Sequence, residues 1–274
     1  MQSCTTRTVG GDGEDPNSGK GEPISPRLDR MGEAPNEVVM PAPFDERSEF
    51  SIAPYAALDE ADQENYKYNA HLWDLLDNVT SEVGFKRPGH TQCKILNLAC
   101  GAGHESYLLS AFFGDGTINS PFCAARVRAV DISEGNMALA VERQNQLLAD
   151  SDDVKRLAGA VNFESLDATD LRAVMGEDGP YDIVVLRHPQ VTADFVNVGQ
   201  KGVWRTIVAN AVAATKGSGY VIATTLSGFE AQFLVSFLQD ANAEILVDRA
   251  VSHVAEGLKG NKDSWVVVAK PPRG

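Results

Sequence analysis

Residues 95–106 read Ile-Leu-Asn-Leu-Ala-Cys-Gly-Ala-Gly-His-Glu-Ser, ILNLACGAGHES. An apolar run, Lys94–Leu98, has the character of a buried strand, and it breaks into two glycines one residue apart. The chain then turns polar, and a helix is predicted to open near His104. Glycine lets a backbone turn tightly and approach a ligand with no Cβ in the way. In open parallel sheets a ligand sits beyond the carboxyl end of such a strand, so the loop Ala99-Cys100-Gly101-Ala102-Gly103 is a candidate ligand cradle. A tight strand-to-helix turn that holds nothing is the plain alternative.

Downstream, short apolar runs recur at Val127–Val130, Val161–Ser165, Asp182–Leu186, Tyr220–Thr224, Ala243–Val247 and Ser264–Ala269, with helical patterns between most of them. After Ser227, the series Phe229, Phe233, Leu234, Phe237 and Leu238 marks one helix face, and Ser227 with Glu230 forms a capping box. Alternating strands and helices predict a parallel sheet covered on both faces. The last connection, residues 249–263, is polar and glycine-bearing with no convincing helix, so the final strands are predicted to run antiparallel. The expected fold is α/β: a three-layer sandwich around a mostly parallel seven-stranded sheet that ends in an antiparallel hairpin strand.

Upstream, Leu72, Leu75, Leu76, Val79 and Val83 recur at helical spacing and predict an amphipathic helix over residues 58–84. Gly84 and Pro88 are its stop signals. Residues 1–43 hold six glycines, six prolines and no aromatic side chain, too little apolar surface to offset the entropy of ordering. The expected organisation is a disordered tail over 1–43, a helical extension over 44–91 placed to serve as a lid, and a ligand-binding domain over 92–274.

A formal net charge of −14 and the absence of any Lys/Arg run argue against a nucleic-acid partner, because phosphate backbones are bound through lysine and arginine. Cys4, Cys93, Cys100 and Cys123 show neither disulfide nor zinc spacing, which suits free thiols in a reducing compartment. No apolar run is long enough for a bilayer, and the first thirty residues carry no secretory pattern. A cytoplasmic protein with no membrane partner is the expectation; nothing bears on its oligomeric state.

Two carboxylates keep register with the glycine loop. Asp131 ends the second strand, where an acidic side chain accepts from ribose hydroxyls. An N-cap role is the alternative, but Ser133 caps equally well and would leave Asp131 spare. Asp167, followed by Ala168, comes after the third strand, where a carboxylate can accept from an exocyclic amine. A nicotinamide dehydrogenase fits less well, since the third glycine of its fingerprint is replaced by Ser106 and no Tyr-x-x-x-Lys pair occurs.

In order and spacing, these elements resemble the class I S-adenosylmethionine-dependent methyltransferases over residues 92–271. The resemblance implies S-adenosyl-L-methionine as cofactor and a Rossmann-like fold whose last strand is antiparallel. By the same resemblance, Asn97, Ala99, Cys100, Gly101 and Gly103 would form the loop around the methionine part. Asp131 would hold the ribose, Ile132 would pack on adenine, Asp167 and Ala168 would meet its edge, and Arg187 would sit near the methionine moiety and substrate mouth. The family's usual first motif has an acidic residue where Asn97 stands and a glycine where Ala99 stands.

Methyl transfer from a sulfonium is an in-line displacement, so positioning supplies most of the acceleration and a base is needed only when the acceptor loses a proton. His188, after the fourth strand, is the candidate base, and a histidine that merely bonds its own turn is the alternative. His104 and Glu105 open a helix, where Glu105 suits the dipole without further role. Cys100 reads either as a thiol activated by a helix N-terminus or as a small buried residue. Tyr66, Tyr68 and Trp73 read as a substrate lid or as core. The letters Leu186-Arg187-His188-Pro189 replace the Asn/Asp-Pro-Pro-aromatic motif of amino-methylating enzymes, and no Pro-Cys pair serves cytosine C5 chemistry. A small-molecule acceptor is expected, with a protein side chain as second choice. A non-catalytic cofactor-binding module acting through a partner is the reading from a different class.

Overall fold

The structure, a computed structural model, describes residues 60–86, 92–114, 124–148, 152–197, 202–251 and 262–272. The tail expected over 1–43 and residues 44–59 lie outside these. The strands are β1 (Lys94–Leu98), β2 (Arg126–Asp131), β3 (Val161–Ser165), β4 (Tyr181–Arg187), β5 (Thr215–Thr225), β6 (Glu244–Ala250) and β7 (Trp265–Lys270). The helices are α1 (Glu60–Glu82), α2 (Ser106–Phe112), α3 (Glu134–Leu147), α4 (Asp152–Gly159), α5 (Leu171–Met175), α6 (Ala193–Val196), α7 (Val203–Ala214) and α8 (Gly228–Asp240).

All seven strands form one sheet in the order β3-β2-β1-β4-β5-β7-β6. The first five pair in parallel, and β7 enters antiparallel between β5 and β6. The expected fold class, including the antiparallel finish, is the one observed. Chain order reverses beside β1, whose neighbours are β2 and β4, so the glycine loop leaves the sheet at its topological switch point.

Period-two alternation sends neighbouring side chains to opposite cores. Ile95, Val127, Ala129, Ile183, Val185 and Ile222 pack under Leu72, Leu76 and Val79 of α1 and Leu109 and Phe112 of α2. Leu96, Leu98, Val130, Val184, Leu186, Val221 and Ala223 face α5, α7 and α8 instead. Trp73 meets Phe112 edge-on with centroids 4.6 Å apart, and Tyr68 is buried, so these two belong to the core side of their alternatives. The side chain of Tyr66 lies outside the described residues. Ser227 caps α8 by accepting from the Glu230 N–H at 3.3 Å, and Glu230 reaches back to the Leu226 N–H at 3.0 Å.

The face beneath α1 and α2 changes character at its carboxyl end. The rows of Ile95, Val185 and Ile222 continue, two residues on, into Asn97, Arg187 and Thr224. An apolar face therefore ends in a polar row, and that row underlies the site.

Candidate functional site

The loop after β1 is held open by its backbone. Ala99, Gly101 and Gly103 all take positive φ, at 57°, 57° and 63°. The Cys100 N–H donates to the Val130 carbonyl, and the Gly101 N–H donates to Oδ2 of Asp131 at 2.9 Å. The two glycines have different surroundings. A Cβ on Gly101 would meet nothing within 4 Å, whereas one on Gly103 would lie 2.5 Å from Cε1 of Phe163. Gly101 thus faces open space, and Gly103 is the close contact between the loop and β3.

Asp131 is not spare. Its Oδ2 takes the Gly101 N–H and its Oδ1 takes the Ser133 N–H at 2.9 Å, although each oxygen keeps a further lone pair. Ser133 is the N-cap of α3, accepting from Asn136 at 3.2 Å. The next residue, Ile132, is 71% exposed, an unusual state for a large apolar side chain at the end of a buried strand. Past β3, Asp167 accepts from the Thr169 N–H and hydroxyl, both on Oδ1. These two bonds hold its carboxyl below the ordinary range and leave Oδ2 without a protein partner among the described residues. Ala168 is buried, with its carbonyl taken by Asn210 at 2.9 Å.

Three loop assignments change character. Asn97 is fully buried, and its amide donates to Glu105 at 2.7 Å and to Ser106 at 3.0 Å, so it supports the loop from beneath. Its Oδ1 has no protein partner among the described residues. Burial, then the charges of Glu105 and Asp131, push the Cys100 thiol far up, so it is a small buried residue and not an activated nucleophile. Glu105 is buried too, which the expectation of a dipole-matched surface residue did not foresee.

Glu105 belongs to a charged cluster at the ends of β4, β5 and β7. The Arg187 guanidinium is almost wholly enclosed, meeting Asp263 at 2.8 and 3.2 Å, Asn69 of α1 at 3.4 Å and Glu105 at 3.8 Å. Burial works against its charge, but Asp263 outweighs it and holds the guanidinium above its usual value. Arg187 is therefore already neutralised and is no free anion receptor for a cofactor carboxylate. Asp263 has no exposed side-chain surface and also accepts from the Thr224 hydroxyl at 2.6 Å. His188 Nε2 stands 3.0 Å from Asp263 Oδ1, and the His188 ring is 24% exposed. His188 takes φ 54°, outside the ordinary range for a non-glycine residue, and its N–H donates to the Thr224 carbonyl at 2.9 Å. Its ring bonds across the sheet, not to its own turn.

Sequence reasoning missed Asp263. The residue directly precedes the predicted last strand, but it stands 76 positions beyond Arg187, and only pairing of β7 with β5 brings the two together. Its one local signal is an acidic residue entering an otherwise apolar strand. Among the described residues no group of three or more His, Cys, Asp and Glu converges as a metal site, and no helix is long and apolar enough to cross a membrane.

No protein-family model and no curated protein matches the chain. Among solved structures it is similar to a SAM-dependent methyltransferase from Aquifex aeolicus, at 16% identity over 72% of this chain and 89% of that one, with a TM-score of 0.49. It is also similar to an S-adenosylmethionine-dependent methyltransferase from Clostridium acetobutylicum, at 10% identity over 78% and 93%, with a TM-score of 0.48. A third is the [4+2]-cyclase SpnF, at 14% identity over 74% and 81%, with a TM-score of 0.47.

Proposed function

We propose that this chain transfers a methyl group from S-adenosyl-L-methionine to a small-molecule acceptor in the cytoplasm. The observation that carries the proposal is the row at the carboxyl ends of β1, β2 and β3. Among the described residues, open space stands over Gly101, Asp131 keeps acceptor capacity, Ile132 is an exposed apolar platform, and Asp167 has a free carboxylate oxygen. Those features match in turn the methionine part, the ribose, the adenine face and the adenine amine. Asn97, Cys100 and Gly103 are buried and Ala99 is half-buried, and these four shape the loop. Arg187 orders the floor, and Ala168 seats the loop that carries Asp167.

When bound, the cofactor would supply a methyl group activated by a sulfonium, with its sulfur as the leaving group. The chain's own work is to align the two reactants and keep water out. His188 takes the acceptor's proton in this reading, which is supported by a partly exposed ring whose Nδ1 has no partner among the described residues. Phe195, Val196, Leu226 and Phe229, exposed after β4 and β5, give an acceptor apolar surface to rest on. The net charge of −14 disfavours nucleic acid as that acceptor.

The competing reading is a cofactor-binding chain without turnover, favoured by the neutralised Arg187. Thermal-shift titration with S-adenosylmethionine, S-adenosylhomocysteine and NAD(H) tests binding first. Hundredfold excess over the dissociation constant adds about 2.7 kcal/mol of stability. The adenosyl compounds are expected to raise Tm and NAD(H) to leave it unchanged, while a response to NAD(H) alone would overturn the proposal. An Asp131→Ala variant that binds as tightly as wild type would remove the ribose assignment. Binding without S-adenosylhomocysteine release across a broad acceptor panel would favour the competing reading.

A further inference from the structure

We infer that Asp263 is a positioning residue for His188, fixing the imidazole as its Nε2–H tautomer so that Nδ1 is the nitrogen that receives the acceptor's proton. The inference rests on the methyl-transfer reading for its chemistry, but its geometry stands alone.

Asp263 can only accept. Arg187 and the Thr224 hydroxyl already donate to it, and although burial opposes its charge, Arg187 and His188 hold its carboxyl far below the ordinary range. The ring nitrogen at 3.0 Å must then be the donor, which makes Nδ1 the basic nitrogen of the neutral ring. The backbone agrees with a site built for position. A left-handed histidine followed by proline costs about 1–3 kcal/mol and persists only where its surroundings over-determine it. Here the Thr224 carbonyl holds the His188 N–H while the Thr224 hydroxyl holds Asp263, so one residue of β5 fixes both members of the pair.

Glu105 and Asp263 present two carboxylates to the single guanidinium of Arg187. The other charged or titratable neighbours are Tyr68, from α1, and Lys262, whose ammonium lies 3.9 Å from the Tyr68 ring centroid. In the transfer step the acceptor's O–H or N–H bond would break toward Nδ1, the acceptor would form its bond to the methyl carbon as the carbon–sulfur pair stays with sulfur, and the Nε2 proton would stay on the ring against Asp263. The acceptor class is therefore one that carries a proton to lose.

The test is 15N–1H NMR of the full-length, histidine-labelled protein, with the His188 signals assigned by His188→Gln. Wild type is expected to show a protonated Nε2 that exchanges slowly with water and an unprotonated Nδ1. Asp263→Ala is expected to return that proton to fast exchange, and Asp263→Asn, which keeps an acceptor oxygen, to restore it. An Nδ1–H tautomer, or a fast-exchanging Nε2 proton in wild type, would overturn the inference, and the wild-type spectrum decides it even where Asp263→Ala does not fold. Calorimetric binding of S-adenosylhomocysteine to the same samples separates the outcomes: absent binding sinks the methyl-transfer reading, whereas a wrong tautomer sinks only the role of Asp263.

Discussion

A methyl group added to Gly103 would lie 2.5 Å from Cε1 of Phe163, while one added to Gly101, two residues earlier with nearly the same φ, would touch nothing. The two glycines of the loop therefore do different work. Gly103→Ala combines left-handed strain of about 1–2 kcal/mol with overpacking of about 1–3 kcal/mol, and urea melts are expected to show the sum. Gly101→Ala is expected to cost only the strain, and to weaken S-adenosylhomocysteine binding more than tenfold in calorimetry. Equal loss of stability in both variants would contradict this division.

Ala99 holds φ 57° with a Cβ in place. Ala99→Gly removes about 1–2 kcal/mol of strain and returns about 0.4–1 kcal/mol through the looser unfolded chain. The net expectation is a gain of about 0.5–1 kcal/mol, read as a higher urea midpoint with unchanged slope.

Arg128 of β2 clamps the far side of the sheet. Its guanidinium donates to Glu164 at 2.6 and 3.1 Å, to the carbonyls of Ala173 and Val174, and to the Tyr181 hydroxyl. Arg128→Met leaves two carbonyls and a carboxylate short of donors, and is expected to cost about 2–4 kcal/mol in urea unfolding. Arg126, half exposed and paired with Asp178 at 3.1 Å, is the control, because its replacement by alanine should cost under about 1 kcal/mol.

Acid stability should report Asp263. Its carboxyl is held below the unfolded-chain value because Arg187 outweighs the burial that opposes ionisation. A depressed folded pKa contributes its full stability above the unfolded value, about 4, and loses it as pH falls toward the folded one. Tm measured in pH steps should therefore fall more steeply below pH 4 in wild type than in Asp263→Asn. Above pH 5 the variant should be less stable by a constant amount. Parallel acid limbs would show that Asp263 is not the group responsible.

The strands were legible because each carries an apolar run, and β3 and the helix capped by Ser227 fall where their residues predict. The antiparallel finish was legible too, from a connection with no crossover helix. Asp131 and Asp167 were legible as positions, at the ends of their strands, but not as bonding states. That Asp131 also accepts from the loop's own Gly101 N–H was hidden, because that demand appears only once the loop is folded back on β2. The neutralisation of Arg187 was hidden for the same reason: its partners lie on α1, beside α2 and before β7.

What the sequence determined by itself is the order of elements, a mostly parallel sheet covered on both faces, and the glycine loop after its first strand, because period and backbone freedom are local properties. What only the tertiary structure decided is which charges are satisfied. Glu105, Arg187, His188 and Asp263 come from separate segments, and whether a charge is free or neutralised depends on partners that chain distance hides and sheet pairing supplies.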